Sequence, residues 1–174
     1  MPKQITPTGR ERFFEKDEII VSKTDLKGRI TYANRTFLKV AGYTEREVMG
    51  EPHSIVRHPD MPRSVFKLLW DTLGAGQECF AYVVNLAKTG DHYWVLAHVT
   101  PSLDSGGKAI GYHSSRRVPD RRVVDEVIRP LYADLLAIEA QHGNRKEGMQ
   151  AAFDTVVSVL NEKGMGYDQF VFSL

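Results

Sequence analysis

Apolar and polar residues alternate in two stretches near the start of the chain, "DEIIVSKTD" (17–25) and "GRITYAN" (28–34), separated by the turn residues of "DLKG". A β-branched, period-two pattern broken by Asp and Gly predicts two strands joined as a hairpin. From residue 34 the period lengthens. Phe37, Val40 and Ala41 fall on one face of a short helix that Gly42 can end. Thr44, followed three residues later by Glu47, has the form of a capping box and predicts a further helix start. Between residues 61 and 76, Val65, Leu68, Leu69 and Leu73 share an apolar face, with Phe66 and Trp70 beside them, and Gly74 offers a stop. Three strand-like runs follow, "ECFAYVVNLA" (78–87), "HYWVLAHVTPSL" (92–103) and "AIGYHSSRRV" (109–118), joined by the hairpin signals "KTGD" and "DSGGK". Helical spacing returns after Asp120 through Val124, Val127, Leu131, Leu135 and Ile138. After the break "HGNRKEG" it continues through Met149, Phe153, Val156, Val157 and Leu160 to the apolar-aromatic tail "GYDQFVFSL".

This order predicts an α+β architecture: a five-stranded antiparallel sheet with short helices on one face, plus a C-terminal helical extension. Residues 1–16 read as a loosely held N-terminal cap, 17–119 as the α+β domain and 120–174 as the extension. The space between sheet and helices is where a ligand would fit. The stripe from Val124 to Ile138 can cover the sheet, dimerise or dock on another protein, and periodicity does not choose among these.

Composition narrows the function classes. With 42% hydrophobic and 26% charged residues the chain reads as an ordinary globular protein, and a formal net charge of +1 asks for neither nucleic acid nor an anionic membrane. Arg116, Arg117, Arg121 and Arg122 form a basic cluster, read as a solvated junction. The single cysteine, Cys79, excludes an internal disulfide framework and a thiolate zinc cage. No stretch of ~18 uncharged apolar residues occurs, so no bilayer span is expected. The expectation is a cytoplasmic protein that reaches a membrane only through a partner.

The densest chemistry lies in "EPHSIVRHPDMP" (51–62). Arg57 can offer a bidentate fork to a phosphate or carboxylate, and the helix predicted to begin near Pro62 adds oriented amides. Asp60 is placed to cap that helix. His53 and His58 suggest a metal, but their spacing and the lack of a thiolate argue against one. Asn85 is an amide inside the apolar run "YVVNLA", costly to bury without partners. Asn34 reads as a helix N-cap that can also face a pocket. No nucleophile elbow, Gly-rich phosphate loop or zincin helix is present, so no enzyme is expected.

With "AN" at 33–34, "GYTEREVMG" after it, "RHPDMP" at 57–62 and "KTGDHYW" at 88–94, the chain resembles a PAS domain, and more narrowly the flavin-binding PAS sensors of Aer-type aerotaxis receptors. The resemblance spans residues 17–135. It implies non-covalent FAD between sheet and helices and a redox or oxygen sensor. Cofactor contacts are implied for Arg57, His58, Asp60 and Asn85, and the candidate set is completed by Asn34, His53 and Trp70. It further implies a separate, membrane-anchored chemoreceptor-type partner and a homodimer through the PAS domain and flanking helices. One departure stands out: where the family has a tryptophan near the start of the third strand, this chain has Cys79 and then Phe80. The same residues admit a haem- or small-ligand-binding PAS sensor, or a cofactor-free interaction module.

Overall fold

The computed structural model describes residues 5–174. The first hairpin is present: β1 (Ile20–Asp25) pairs antiparallel with β2 (Ile30–Ala33), and Asp25 Oδ1 secures the turn by accepting the amides of Lys27 and Arg29 at 2.8 and 2.9 Å. Asn34 then starts α1 (Arg35–Ala41), its Oδ1 accepting the Phe37 amide at 2.9 Å. Gly42 ends that helix in the left-handed region, at φ 74°, where a side chain would be strained. The Glu47 carboxylate accepts both the amide and the hydroxyl of Thr44 at the head of α2 (Glu45–Val48). A 3-10 turn (His53–Val56) leads to α3 (Arg63–Gly74).

β3 (Cys79–Leu86), β4 (His92–Leu103) and β5 (Ala109–Arg117) complete an antiparallel sheet in the order β2-β1-β5-β4-β3. Alternation sorts the two faces. Asn85 sits opposite Tyr93, Ala97 opposite Arg116, and Ser22 opposite Ser114, all on the inner face toward α1–α3. The core between sheet and helices includes Phe37, Val56, Met61, Val65 and Leu73, each at most 3% exposed. Phe80, Trp94 and His98 belong to the outer face, where Phe80 and His98 stack at 4.1 Å.

Of the predicted apolar stripe, Val124 and Leu135 are buried, Leu131 and Ile138 are half-buried against the core, and Val127 is half-buried. α4 (Arg121–Val123) continues through a π-helical turn (Val124–Ile128) into α5 (Arg129–Ala140), followed by α6 (Arg145–Lys163) and α7 (Tyr167–Ser173). Val124, Ile128, Tyr132 and Leu135 are buried within the chain itself. Tyr132 lies beside Trp94, and its hydroxyl donates to the Tyr82 carbonyl of β3. Asp168 of α7 accepts the Phe80 amide at 3.0 Å, and Arg57 forms a backbone bridge to Asn85. The helices and the 57–61 loop thereby close β3, a sheet edge whose open amides and carbonyls would otherwise invite pairing with another chain.

Two expectations need correction. Asp60 does not cap α3: its side chain is 76% exposed, and the first turn is held by Glu139 of α5, which accepts the Ser64 amide at 2.9 Å and the Ser64 hydroxyl at 3.0 Å. The anion attracted to that helix start is thus a carboxylate 75 residues away in sequence. Nor is the described part of the N-terminal segment loosely held. Asp91 accepts from the Thr8 hydroxyl at 2.6 Å and from Arg10 and Arg12 at 3.2 Å, while Glu11 pairs with Arg121 and Arg129.

α6 packs closely on α5 at Gly148, where any Cβ would collide with the Glu139 carbonyl oxygen. Replacing Glu139 by Ala is expected to lower stability by about 1–2 kcal/mol in urea unfolding, the usual cost of losing a helix cap. Gly148→Ala is expected to cost about 1–3 kcal/mol through overpacking. Glu162→Ala, at an exposed position, should stay within about 0.5 kcal/mol of wild type.

Candidate functional site

A cavity of about 550 Å³ lies between the inner sheet face, the 3-10 turn and α3. That volume falls within the range of small-molecule sites, roughly 300–1,000 Å³. Val83, Ala97 and Val99 supply an apolar sheet wall, and Phe66, Leu69 and Leu73 the helical wall. Trp70, 44% exposed, meets the edge of Tyr112 at 5.3 Å, and the Gly28 turn and Met149 of α6 also line the cavity.

The polar part of the wall is built around Arg116. This guanidinium is 2% exposed and has no carboxylate partner among the described residues. It donates from Nη2 to Ser22 Oγ, lies 3.5 Å through Nη1 from His53 Nε2, and rests over the Phe37 ring at 5.3 Å. Ser22 Oγ is 2.9 Å from His53 Nε2. Arg116 Nη1 can only donate, so a neutral His53 ring meets it with Nε2 as acceptor, an arrangement in which the Ser22 hydroxyl can donate to the same nitrogen. Burial first, and the neighbouring Arg116 charge second, hold the His53 imidazole down at about 3. Desolvation lowers Arg116 itself to about 10, so it remains a cation at neutral pH. Asn85 Nδ2, Arg116 Nε and Thr24 Oγ1 are buried without a hydrogen-bond partner among the described residues. Orphaned polar atoms in a cavity wall are expensive for a closed core and natural for a ligand site. The Tyr93 hydroxyl, opposite Asn85 in the sheet, also has no partner among the described residues.

The cavity brings together four of the sequence candidates, Arg57, His53, Asn85 and Trp70. Three others lie outside its lining. His58 is buried at 5%, its Nδ1 accepting the Asp60 amide at 3.0 Å, and its ring meets the edge of His92 at 5.8 Å. Asp60 points to solvent. Asn34 is fully engaged, accepting from Val21 and Phe37 and donating to the Ile19 carbonyl. Cys79 is buried away from the lining, with burial first and Asp168 second pushing its thiol up to about 12, and Phe80 occupies the other sheet face. Neither replaces an aromatic in the cavity.

Sequence reasoning missed Arg116, assigning it to a solvated junction. The signal was there: in "YHSSRR" every second residue from Tyr112 shares a face, which puts Arg116 inward with Ser114 and Arg117 outward. Among the described residues, no three His, Cys, Asp or Glu side chains gather as a metal site requires.

A five-stranded antiparallel sheet closing a cavity with short helices defines the class of domain, and the family model for the PAS fold matches residues 12–113. The chain belongs to the PAS family of sensor domains. It is 45% identical over 122 residues to the aerotaxis receptor of Escherichia coli (strain K12), a match covering 70% of this chain and 24% of the receptor. It is 28% identical over 103 residues to the nitrogen fixation regulatory protein of Klebsiella pneumoniae, covering 59% of this chain and 21% of that protein. The chain thus spans less than a quarter of the length of these two curated relatives. The dark structure of the blue-light photoreceptor Aureochrome1 LOV superposes with a TM-score of 0.55 at 23% identity, over 69% of this chain and 86% of that one, which shows a shared fold.

Because His53 is neutral when folded and protonates near 6.5 when unfolded, the unfolded chain binds the extra proton between pH 6.5 and about 3. Stability from this group is therefore present above pH 6.5 and falls as the pH drops, by up to about 1.4 kcal/mol per pH unit. His53→Gln is expected to flatten the urea-derived stability profile between pH 4 and 6.5. Parallel profiles for the two proteins would contradict a neutral, buried His53.

Proposed function

We propose that the protein is a redox sensor that binds FAD non-covalently in the cavity and passes the redox state of the flavin to a signalling partner. The carrying observation is a pair of polar atoms in the wall without a partner among the described residues, Asn85 Nδ2 and Arg116 Nε. The pyrimidine side of a flavin ring carries acceptors and a donor, and a side-chain amide supplies both complements. The 45% identity to the aerotaxis receptor, and the resemblance of "RHPDMP" and "KTGDHYW" to flavin-binding PAS sensors, support the same reading.

When bound, a flavin supplies a reversible redox centre whose reduction adds protons and negative charge. The chain's own groups are arranged to respond to such a change. Arg116 holds a fixed positive charge in a buried wall and favours the more negative state. Asn85 can exchange donor for acceptor by turning its amide. His53, kept neutral, adds no competing charge. A changed hydrogen-bond pattern at the sheet would alter how α3 packs, shifting populations between two arrangements.

No chemical turnover belongs to this reading, and the chain acts as a sensor rather than an enzyme. Its output goes to a separate chemoreceptor-type protein anchored in a membrane, with this chain in the cytoplasm as a homodimer. No helix among the described residues is long and apolar enough to cross a membrane. A dimer would use surfaces other than Val124, Ile128, Tyr132 and Leu135, which are buried within the chain.

Purified protein mixed with FAD is expected to retain the blue and near-UV absorption of oxidised flavin after desalting. A dominant Soret band would instead identify a haem sensor, and a preparation that stays colourless with either would identify an interaction module. Asn85→Ala is expected to weaken FAD binding about tenfold, the cost of about one good hydrogen bond to a buried group. Arg116→Met should move the flavin potential to more negative values by about 30 mV or more, since 30 mV is a tenfold change for a two-electron couple. Unchanged retention and potential in both variants would remove them from the mechanism.

A further inference from the structure

The C-terminal helices carry a hinge. Pro130 is the second residue of α5, where it has no N–H to give the Glu126 carbonyl four positions back and its ring would press on that carbonyl. The chain answers by widening the turn before it. Between Val124 and Ile128 the helix is π-wound, and the Arg129 amide bonds to the Val124 carbonyl five residues back. Prolines and π turns are recognised sources of a bend, so α4 and α5 are two pieces joined at a soft point rather than one rod.

That point is bridged from outside. Arg121 before the π turn and Arg129 after it both reach Glu11, Arg121 through Nη1 to Oε1 and Arg129 through Nη2 to Oε2 at 3.0 Å. Asp125, on the turn itself, pairs with the same two arginines at 2.7 and 3.1 Å. The two acids differ in setting. The Asp125 side chain is 49% exposed, where an ion pair adds little. Glu11 is 15% exposed and has the His92 imidazole as a third basic neighbour, at 3.7 Å. Arg129 also lies over the Trp94 ring at 5.5 Å, which holds the far side of the hinge to the sheet.

Glu11 is presented by a docked segment. On either side of it, the Arg12 amide donates to the His92 carbonyl at 2.7 Å and the Arg10 carbonyl accepts the His92 amide at 2.9 Å. Arg12 reaches the Val40 carbonyl of α1 at 3.0 Å. At Gly90, with φ 90°, a Cβ would collide with the Thr6 carbonyl oxygen, so the turn between β3 and β4 is shaped to receive this segment. Beyond the hinge, α5 delivers Tyr132 to the Tyr82 carbonyl and Glu139 to Ser64, at the head of the helix that walls the cavity.

We propose that residues 6–12 are a latch on the C-terminal helices: Glu11 locks the Pro130 hinge, and through it the placement of α5 and of the α3 start. The latch does not depend on the flavin reading, since every group in it belongs to the chain. It makes the hold on the cavity wall depend on a segment 110 to 118 positions away from the arginines it grips. Opening the latch leaves Arg121 and Arg129 with Asp125 and lets α5 swing on the π turn, which loosens Glu139 from Ser64.

Amide hydrogen exchange of the full chain without added cofactor, followed by NMR at single residues, tests this in Glu11→Ala. The control is Arg122→Ala, because Arg122 pairs with Glu126 at 3.8 Å on the exposed side of the same helix. In Glu11→Ala the amides of residues 129–140 and of Ser64 are expected to exchange about threefold or more faster than in wild type, with β1 and β5 unchanged. Glu11→Gln, which keeps an acceptor of the same shape without the charge, should fall between the two. Arg122→Ala should match wild type throughout. Faster exchange confined to residues 6–12 would overturn the latch, since the segment would then be a passenger on a rigid helix. Equal acceleration in β1 and β5 would overturn it too, marking a general loss of stability, as would an effect of Arg122→Ala as large as that of Glu11→Ala.

Discussion

A guanidinium buried without a carboxylate partner among the described residues is the constraint around which the cavity is arranged. Removing an arginine from water costs several kcal/mol, and the usual compensation is a paired anion. Arg116 has instead a serine hydroxyl, an imidazole nitrogen and the face of Phe37. Each of these then loses its freedom. Ser22 accepts from the arginine and can donate to His53, and His53 must stay neutral with Nε2 as acceptor. Phe37, fully buried on α1, fixes the distance between that helix and the sheet. The result is a wall with a permanent positive charge and one N–H, that of Arg116 Nε, unengaged among the described residues.

The same economy explains why the C-terminal helices cannot be regarded as an appendage. β3 borders the cavity on its inner face through Val83 and Asn85 and is also the open edge of the sheet. An unpaired edge beside a ligand cavity is vulnerable to pairing with other chains. Tyr132 and Asp168 satisfy its outward carbonyl and amide, and Arg57 bridges the end of the strand at Asn85. Tyr132 reaches that edge from α5, and the same helix delivers Glu139 to the head of α3.

What could be read from the sequence followed from short-range pattern. The strands, the turns, the Asn34 cap, the Gly42 stop and the Thr44–Glu47 box all lie within a few residues of their causes, and each is found where the pattern puts it. Of the site, the alternation in "YVVNLA" and the polar cluster at 51–62 led to Asn85, Arg57 and His53, which do line the cavity. The failures have one physical origin. The partner of the α3 start is Glu139, and the partner of Arg10 and Arg12 is Asp91, 75 to 81 positions away, where no periodicity can point. Asp60 satisfied every local criterion for a cap and lost to a carboxylate delivered by the tertiary fold. Arg116 is the exception, since strand alternation alone would have turned it inward.

Helix α3 is therefore a wall with two sides that answer to different partners. Phe66, Leu69, Trp70 and Leu73 line the cavity. Its first turn is bound to Glu139, and Lys67 sits over the ring of Phe153 on α6 at 4.5 Å. Hydrogen bonds to Ser64 at 2.9 and 3.0 Å tolerate little displacement before they weaken steeply. At Gly148, α6 is pressed against the backbone of α5, so the two helices cannot slide independently to absorb a movement. A change in what fills the cavity must then either leave α3 in place or move the α5–α6 pair with it. Close packing makes that choice discrete rather than graded, which is the property a sensor domain needs to convert a local chemical change into one of two surfaces.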